Sequence, residues 1–165
     1  MTVIASLRAA SRLRTKTDRE VIEDALALIE VADGWTQGTY CRDADGRQVN
    51  PVIGSPGQWM RVHTEHVGAG GYVVRSEPGA IPCKFCLEGA LRVAVGYWHV
   101  EQPHAAHQQV DRLERLLLRL ANSVDVQAWP SLRTYNDDAH TTKADAVLIL
   151  KRAAALLESQ ELKRW

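Results

Sequence analysis

Apolar positions recur three or four residues apart in four stretches of the chain, the signature of helices that bury one face. In the first stretch Val21, Ile22, Ala25, Leu26, Leu28 and Ile29 follow Thr17, a residue type that caps helices, and Asp18 and Glu20, whose charge suits a helix N-terminus. Gly34 stands where a terminating glycine is expected, so the pattern predicts a helix over 18–32. From Lys84 a second helical pattern runs through Phe85, Leu87, Ala90, Leu91, Ala94 and Val95 towards Trp98, and Pro103 punctuates the chain. The third places Val110, Leu113, Leu117, Leu120 and Val124 in alternating steps of three and four, widened by Leu116 and Leu118. The fourth carries Ala146, Val147, Leu150, Ala153, Ala154 and Leu157, opened by Thr142 with Asp145 three positions later in the manner of a capping box.

Between these helices the period changes. Trp35 to Cys41 is rich in strand formers, and Asp43-Ala-Asp-Gly46 has turn chemistry, which predicts a short hairpin or extended connection. Residues 50–82 hold four of the six prolines, and within them Gln58–Val67 and Tyr72–Arg75 flank Gly68-Ala-Gly-Gly71 as a second hairpin. Trp129-Pro130 and Asn136-Asp137-Asp138 predict an irregular connection before the last helix. The expected fold is α+β and mostly α: about four helices in a small helical core, with one or two short β-hairpins. It comprises a basic arm over 1–16 and one globular domain over 17–165, with a Gly/Pro-rich hairpin insertion around 51–81.

Composition sets bounds on this picture. A chain of 165 residues, 45% hydrophobic and 24% charged, can bury a core without staples. No apolar run approaches the roughly 20 residues of a membrane span. Three cysteines, Cys41, Cys83 and Cys86, make a poor disulfide framework and point to a reducing cytoplasm. Arg8, Arg12 and Arg14 interrupt the start too early for a secretory signal, although the acid-free arm shares its composition with organellar transit peptides. Twenty Lys and Arg balance twenty Asp and Glu, which argues against a protein that coats nucleic acid through bulk charge. The balance is uneven along the chain. Residues 1–16 carry four bases and no acid, whereas residues 17–50 carry eight acids against Arg19, Arg42 and Arg47.

Three segments carry a family resemblance. Gly34-Trp-Thr-Gln-Gly-Thr-Tyr40 with Arg42-Asp-Ala-Asp-Gly-Arg47, then Cys83-Lys-Phe-Cys-Leu-Glu-Gly-Ala-Leu91, then Tyr135-Asn-Asp137 ahead of a helix capped by Thr142, occur in this order. Together they resemble an uncharacterised family of small actinobacterial and actinophage proteins, a domain of unknown function, over about residues 18–157. The resemblance implies boundaries and origin and supplies no activity.

Two site chemistries compete. Cys86 lies near a helix start, where partial positive charge favours a thiolate; His140 offers a general base and Asn136 or Asp137 an orienting partner, which together describe a hydrolase or acyl-transfer site. The opposing reading is a small residue packed at a crowded helix contact. Cys83-x-x-Cys86 also has zinc-knuckle spacing, and His63-x-x-His66 completes a four-ligand set for one structural zinc, with His104-x-x-His107 as a competing pair. Asn136-Asp137-Asp138 matches no calcium loop and reads as an Asx turn. Phosphate loops, HExxH helices and G-x-S-x-G elbows do not occur.

Contact surfaces are the remaining signal. Trp35, Trp98 and Trp129 flank helices as core residues, whereas Trp59 in the hairpin and Trp165 at the end are interface candidates. The arm, with Arg8, Arg12 and Arg14, suits an acidic protein surface, a nucleic-acid backbone or the chain's own acidic segment. Helix 104–124 reads as a core helix, with a homodimer seam as the lesser alternative. The leading functional expectation is a cytoplasmic binding or adaptor protein acting through a protein partner, with the Cys86 enzyme and a zinc-stabilised interaction module as alternatives. No cofactor is expected other than that zinc.

Overall fold

The computed structural model describes residues 16–52, 58–67, 71–78, 81–96, 103–124 and 128–163. The arm residues Arg8, Arg12 and Arg14, the Gly68–Gly70 turn, Trp98 and Trp165 lie outside the described residues, as do the side chains of His63 and His66.

Helix α1, Asp18–Glu30, opens with a complete capping box. Thr17 Oγ1 accepts from the Glu20 amide at 3.2 Å, and the Glu20 carboxylate accepts from the Thr17 amide at 2.7 Å. Its inner face buries Val21, Ile22, Ala25, Leu28 and Ile29. At Gly34 the chain passes so close to the helix end that a Cβ would lie 2.2 Å from the Leu28 carbonyl oxygen, and only glycine fits.

Of the short hairpin or extended connection expected from Trp35 onward, strand β1 takes only Cys41–Arg42, and most of Trp35–Cys41 is a loop. The reason is competition for backbone groups. The Thr36 amide donates to the Phe85 carbonyl and the Gly38 amide to the Asp137 carboxylate, so this stretch is held as a loop by distant partners. The predicted turn is present: the Asp43 amide donates to the Arg47 carbonyl at 2.9 Å, with Gly46 at φ +77°. Strands β2, Val49–Pro51, β3, Trp59–Val67, and β4, Gly71–Pro78, form an antiparallel sheet in the order β2-β3-β4, with His63 opposite Arg75 and His66 opposite Tyr72. Buried Asp43 accepts from Arg61 of β3 at 2.7 Å and ties this sheet to the turn.

Strand β5, Lys84–Phe85, pairs with β1. The helix predicted from Lys84 therefore begins later, as α2, Leu87–Val95, because Phe85 and Cys86 donate their amides to Gly34 and Tyr40. It stops before Trp98, at Gly96 in the left-handed conformation, φ +74°. Helix α3, Pro103–Val124, begins on the proline expected only to punctuate. A fifth helix, α4, Leu132–Asn136, occupies the connection expected to be irregular, set by a Ser131–Thr134 capping box. Helix α5, Lys143–Leu162, is capped by Thr142 and Asp145 as predicted.

The helices share one core in which α1 packs on α2 and α5, and α3 packs on α2, α4 and α5. Val110, Leu113, Leu117 and Ala121 of α3 are all buried in it. These positions of the stripe of helix 104–124 are thus covered by the chain itself, as expected of a core helix, while Val124 at its end is exposed. The fold is α+β and mostly helical, with two small antiparallel sheets. No helix among the described residues is long and apolar enough to cross a membrane.

Candidate functional site

Three segments far apart in sequence meet at one end of the helical core: the loop 34–40, the β5–α2 junction and the end of α4. Asn136, only 1% exposed, joins them. Its side-chain oxygen accepts from the Trp35 indole at 3.2 Å and from the Leu87 amide at 3.1 Å; its amide nitrogen donates to the Thr36 carbonyl and, at 2.8 Å, to Asp137 Oδ1. All of its bonding capacity is thereby used inside the protein. Gln37 reaches across to donate to the Asn136 and Asp138 carbonyls at 2.8 Å. The Gly38 amide donates to Asp137 Oδ1 at the same distance.

This network walls a cleft of about 170 Å³ lined by Gly38, Thr39, Tyr40, Gln48, Cys86, Glu88, Arg133, Asn136 and Asp137. Three of the four residues considered for catalysis, Cys86, Asn136 and Asp137, are therefore neighbours around one space. His140 is not part of the lining; it is exposed, and its backbone amide donates to Asp138 in the turn before α5. Asn136, considered as an orienting partner for that histidine, orients an indole and a helix terminus.

Cys86 is the N-cap of α2, and its sulfur accepts from the Gly89 amide at 3.2 Å. The helix terminus was expected to lower its pKa. Burial overrides that effect and pushes the thiol up to about 12, with the Glu88 and Asp137 charges acting in the same direction and the Gly89 hydrogen bond opposing. At neutral pH the sulfur is a protonated thiol that serves as a cap. Burial also raises the thiols of Cys41, in the core, and of half-buried Cys83. All three cysteines are free.

Of the residues considered for zinc, Cys83 lies just before β5, with its amide donating to Arg42, and Cys86 is held by its capping bond. His63 and His66 sit within the unbroken register of β3. Among the described residues no three His, Cys, Asp or Glu side chains gather as a metal-binding group. Trp59, considered for an interface, is partly buried against the core, and Trp129 is buried edge-on to Tyr135 at 5.8 Å.

Several contributors were not singled out from sequence. Arg92 stacks over Tyr40 at 5.3 Å and pairs with Glu88 at 2.7 Å, forming a buttress on one side of the cleft. Arg133 projects from α4, 66% exposed, with its Nε 3.8 Å from Asp137. The only sequence signal for this constellation was the ordered set of three segments. Gly89, in the middle of the second, admits no side chain: a Cβ there would lie 2.0 Å from the Tyr40 carbonyl oxygen.

No curated protein and no solved structure matches the chain. A family model does match, over residues 13–156, which includes all three segments of the cleft. The chain belongs to that family, DUF6197, a family of unknown function.

Proposed function

We propose that the chain is a cytoplasmic binding or adaptor protein that seats a protein partner against the cleft between the 34–40 loop, α2 and α4. The observation that carries this reading is the state of the cleft wall. Its polar backbone and amide groups are bonded to one another, and its sulfur is buried and protonated, which gives a preorganised surface without an activated nucleophile. Tyr40, Glu88, Arg133 and Asp137 rim it with aromatic and charged groups suited to recognition. Free, buried thiols at Cys41 and Cys86 suit a reducing compartment. In the same reading the basic arm with Arg8, Arg12 and Arg14 adds a second, electrostatic contact, and the source is an actinobacterium or its phage.

A photo-crosslinking residue in place of Thr39 or Arg133, expressed in an actinobacterial host, tests this. Discrete protein adducts are expected at both positions and not at exposed Gln160, and deletion of residues 1–15 should weaken them. Adducts that are equal at all three positions, or missing from the cleft, would overturn the reading. Iodoacetamide at neutral pH distinguishes the enzyme alternative: Cys83 should react before Cys86, whereas preferential labelling of Cys86 would restore the nucleophile.

A further inference from the structure

Helix α5 is apolar on more sides than the described residues cover. Ala146, Ile149, Leu150 and Ala153 face the core, yet Leu148 is 44% exposed, Leu156 37% and Leu162 72%. A helix with apolar residues all round is ordinarily covered all round. The outer residues are ordered: Leu148, Arg152, Ala155, Ser159 and Leu162 follow one another in steps of four, three, four and three, the spacing of a helix–helix seam.

We infer that the outer face of α5 is a self-association surface, on which two copies of this chain pair their α5 helices antiparallel about a two-fold axis at Ala155. The charge pattern selects a second copy over another partner. With Ala155 facing itself, Leu148 lies opposite Leu162 of the other copy, and Arg152 lies opposite its Glu158. Both apolar ends are thus covered, and each of the two cations meets an anion. A two-fold contact must be self-complementary in this way. The small side chain at the centre lets the helices approach closely. Arg152 is exposed, and Glu158 has only a loose contact, 3.5 Å from Arg19, whose close partner is Glu23 at 2.7 Å. Two leucines and a few flanking side chains form a patch well below the roughly 800 Å² per partner of a stable complex, so the dimer is expected to be weak and concentration-dependent.

Sedimentation equilibrium on the full chain, from about 1 to about 300 µM, tests the inference. The expected result is a shift from 18.3 kDa towards twice that mass as concentration rises. Ala155→Glu and Leu148→Glu, both at exposed positions, should weaken association at least about tenfold with an unchanged circular dichroism spectrum. Arg152→Glu and Glu158→Arg should each weaken it, while the double exchange restores it to within about twofold, as complementary charges require. In a Cys83→Ser background, Ala155→Cys should form a disulfide-linked dimer on mild oxidation and Gln160→Cys should not. A monomer at every concentration, a dimer indifferent to Ala155→Glu, or a double exchange that fails to restore association would each overturn the inference.

Discussion

A single amide side chain joins the three segments that wall the cleft. Asn136 satisfies the half-buried Trp35 indole and the buried Leu87 amide at once. Asn136→Ala would leave the buried Leu87 amide and the half-buried Trp35 indole without their acceptor, an expected loss of about 1–3 kcal/mol, readable as a lower urea midpoint. Gly89→Ala should cost about 2 kcal/mol or more, because the added carbon meets backbone and not a yielding side chain. A substitution to serine at the same position should be no better tolerated, which a thermal melt of the two variants would check. Residue types were informative in sequence only as capacities. Asn136 advertises two donors and an acceptor and Cys86 a nucleophile; which of these is used depends on burial, and burial at 136 and 86 arises from segments roughly 50 and 100 positions away.

Elements were legible wherever their determinants are local. Thr17 with Glu20 and Thr142 with Asp145 are complete within four residues, and both helices start where those pairs stand. Thr142→Ala should accordingly cost about 1 kcal/mol, measurable by chemical denaturation. The β5–α2 junction was read as helix from Lys84 because Phe85 and Cys86 continue the apolar pattern; their amides are claimed by Gly34 and Tyr40, information that no local window contains. Ser131 and Thr134 are a local pair too, and α4 was overlooked because Pro130 and the Asn-Asp run suggested irregular chain.

Packing of α2 against α3 has its own pH response. Glu114 of α3 has one carboxylate oxygen buried without a partner, and burial raises its pKa to about 7, with Glu88 of α2 and Asp111 adding repulsion and Arg92 and Arg115 opposing. Its folded pKa lies above its unfolded value. The stabilisation it allows is therefore fully present below the unfolded pKa of 4.5 and is lost as pH rises through about 7. Glu114→Gln should remove that loss and raise stability at pH 8 by about 1 kcal/mol, solvent screening of a half-buried group being allowed for, with little change at pH 4. Denaturation curves at the two pH values are the measurement.

At the scale of the whole molecule, charge neutrality conceals order. The acidic first helix is tied to the rest by bases from elsewhere, Asp18 by Arg112 at 2.7 Å and Glu30 by Lys151 at 2.7 Å, while Lys16 at its own start pairs with Asp24 at 2.7 Å. Adding salt should therefore lower stability modestly, by screening exposed pairs that each contribute little. The mostly helical class was legible because four amphipathic patterns dominate the chain. The cleft was not, since it is made where three loops or helix ends coincide and only the order of three short segments hinted at it.

The reach of the Asn136 bonds has a further consequence, for the time at which the molecule becomes competent. Trp35 and Gln37 find their partners 101 and 99 positions further along the chain. Helix α1 and the sheets can form while synthesis continues, but the cleft has no third wall until α4 has left the ribosome. Contacts of such long separation also close late in refolding. A nascent chain halted before residue 132 would carry the 34–40 loop without its lock, so the cleft is completed only once α4 has been made.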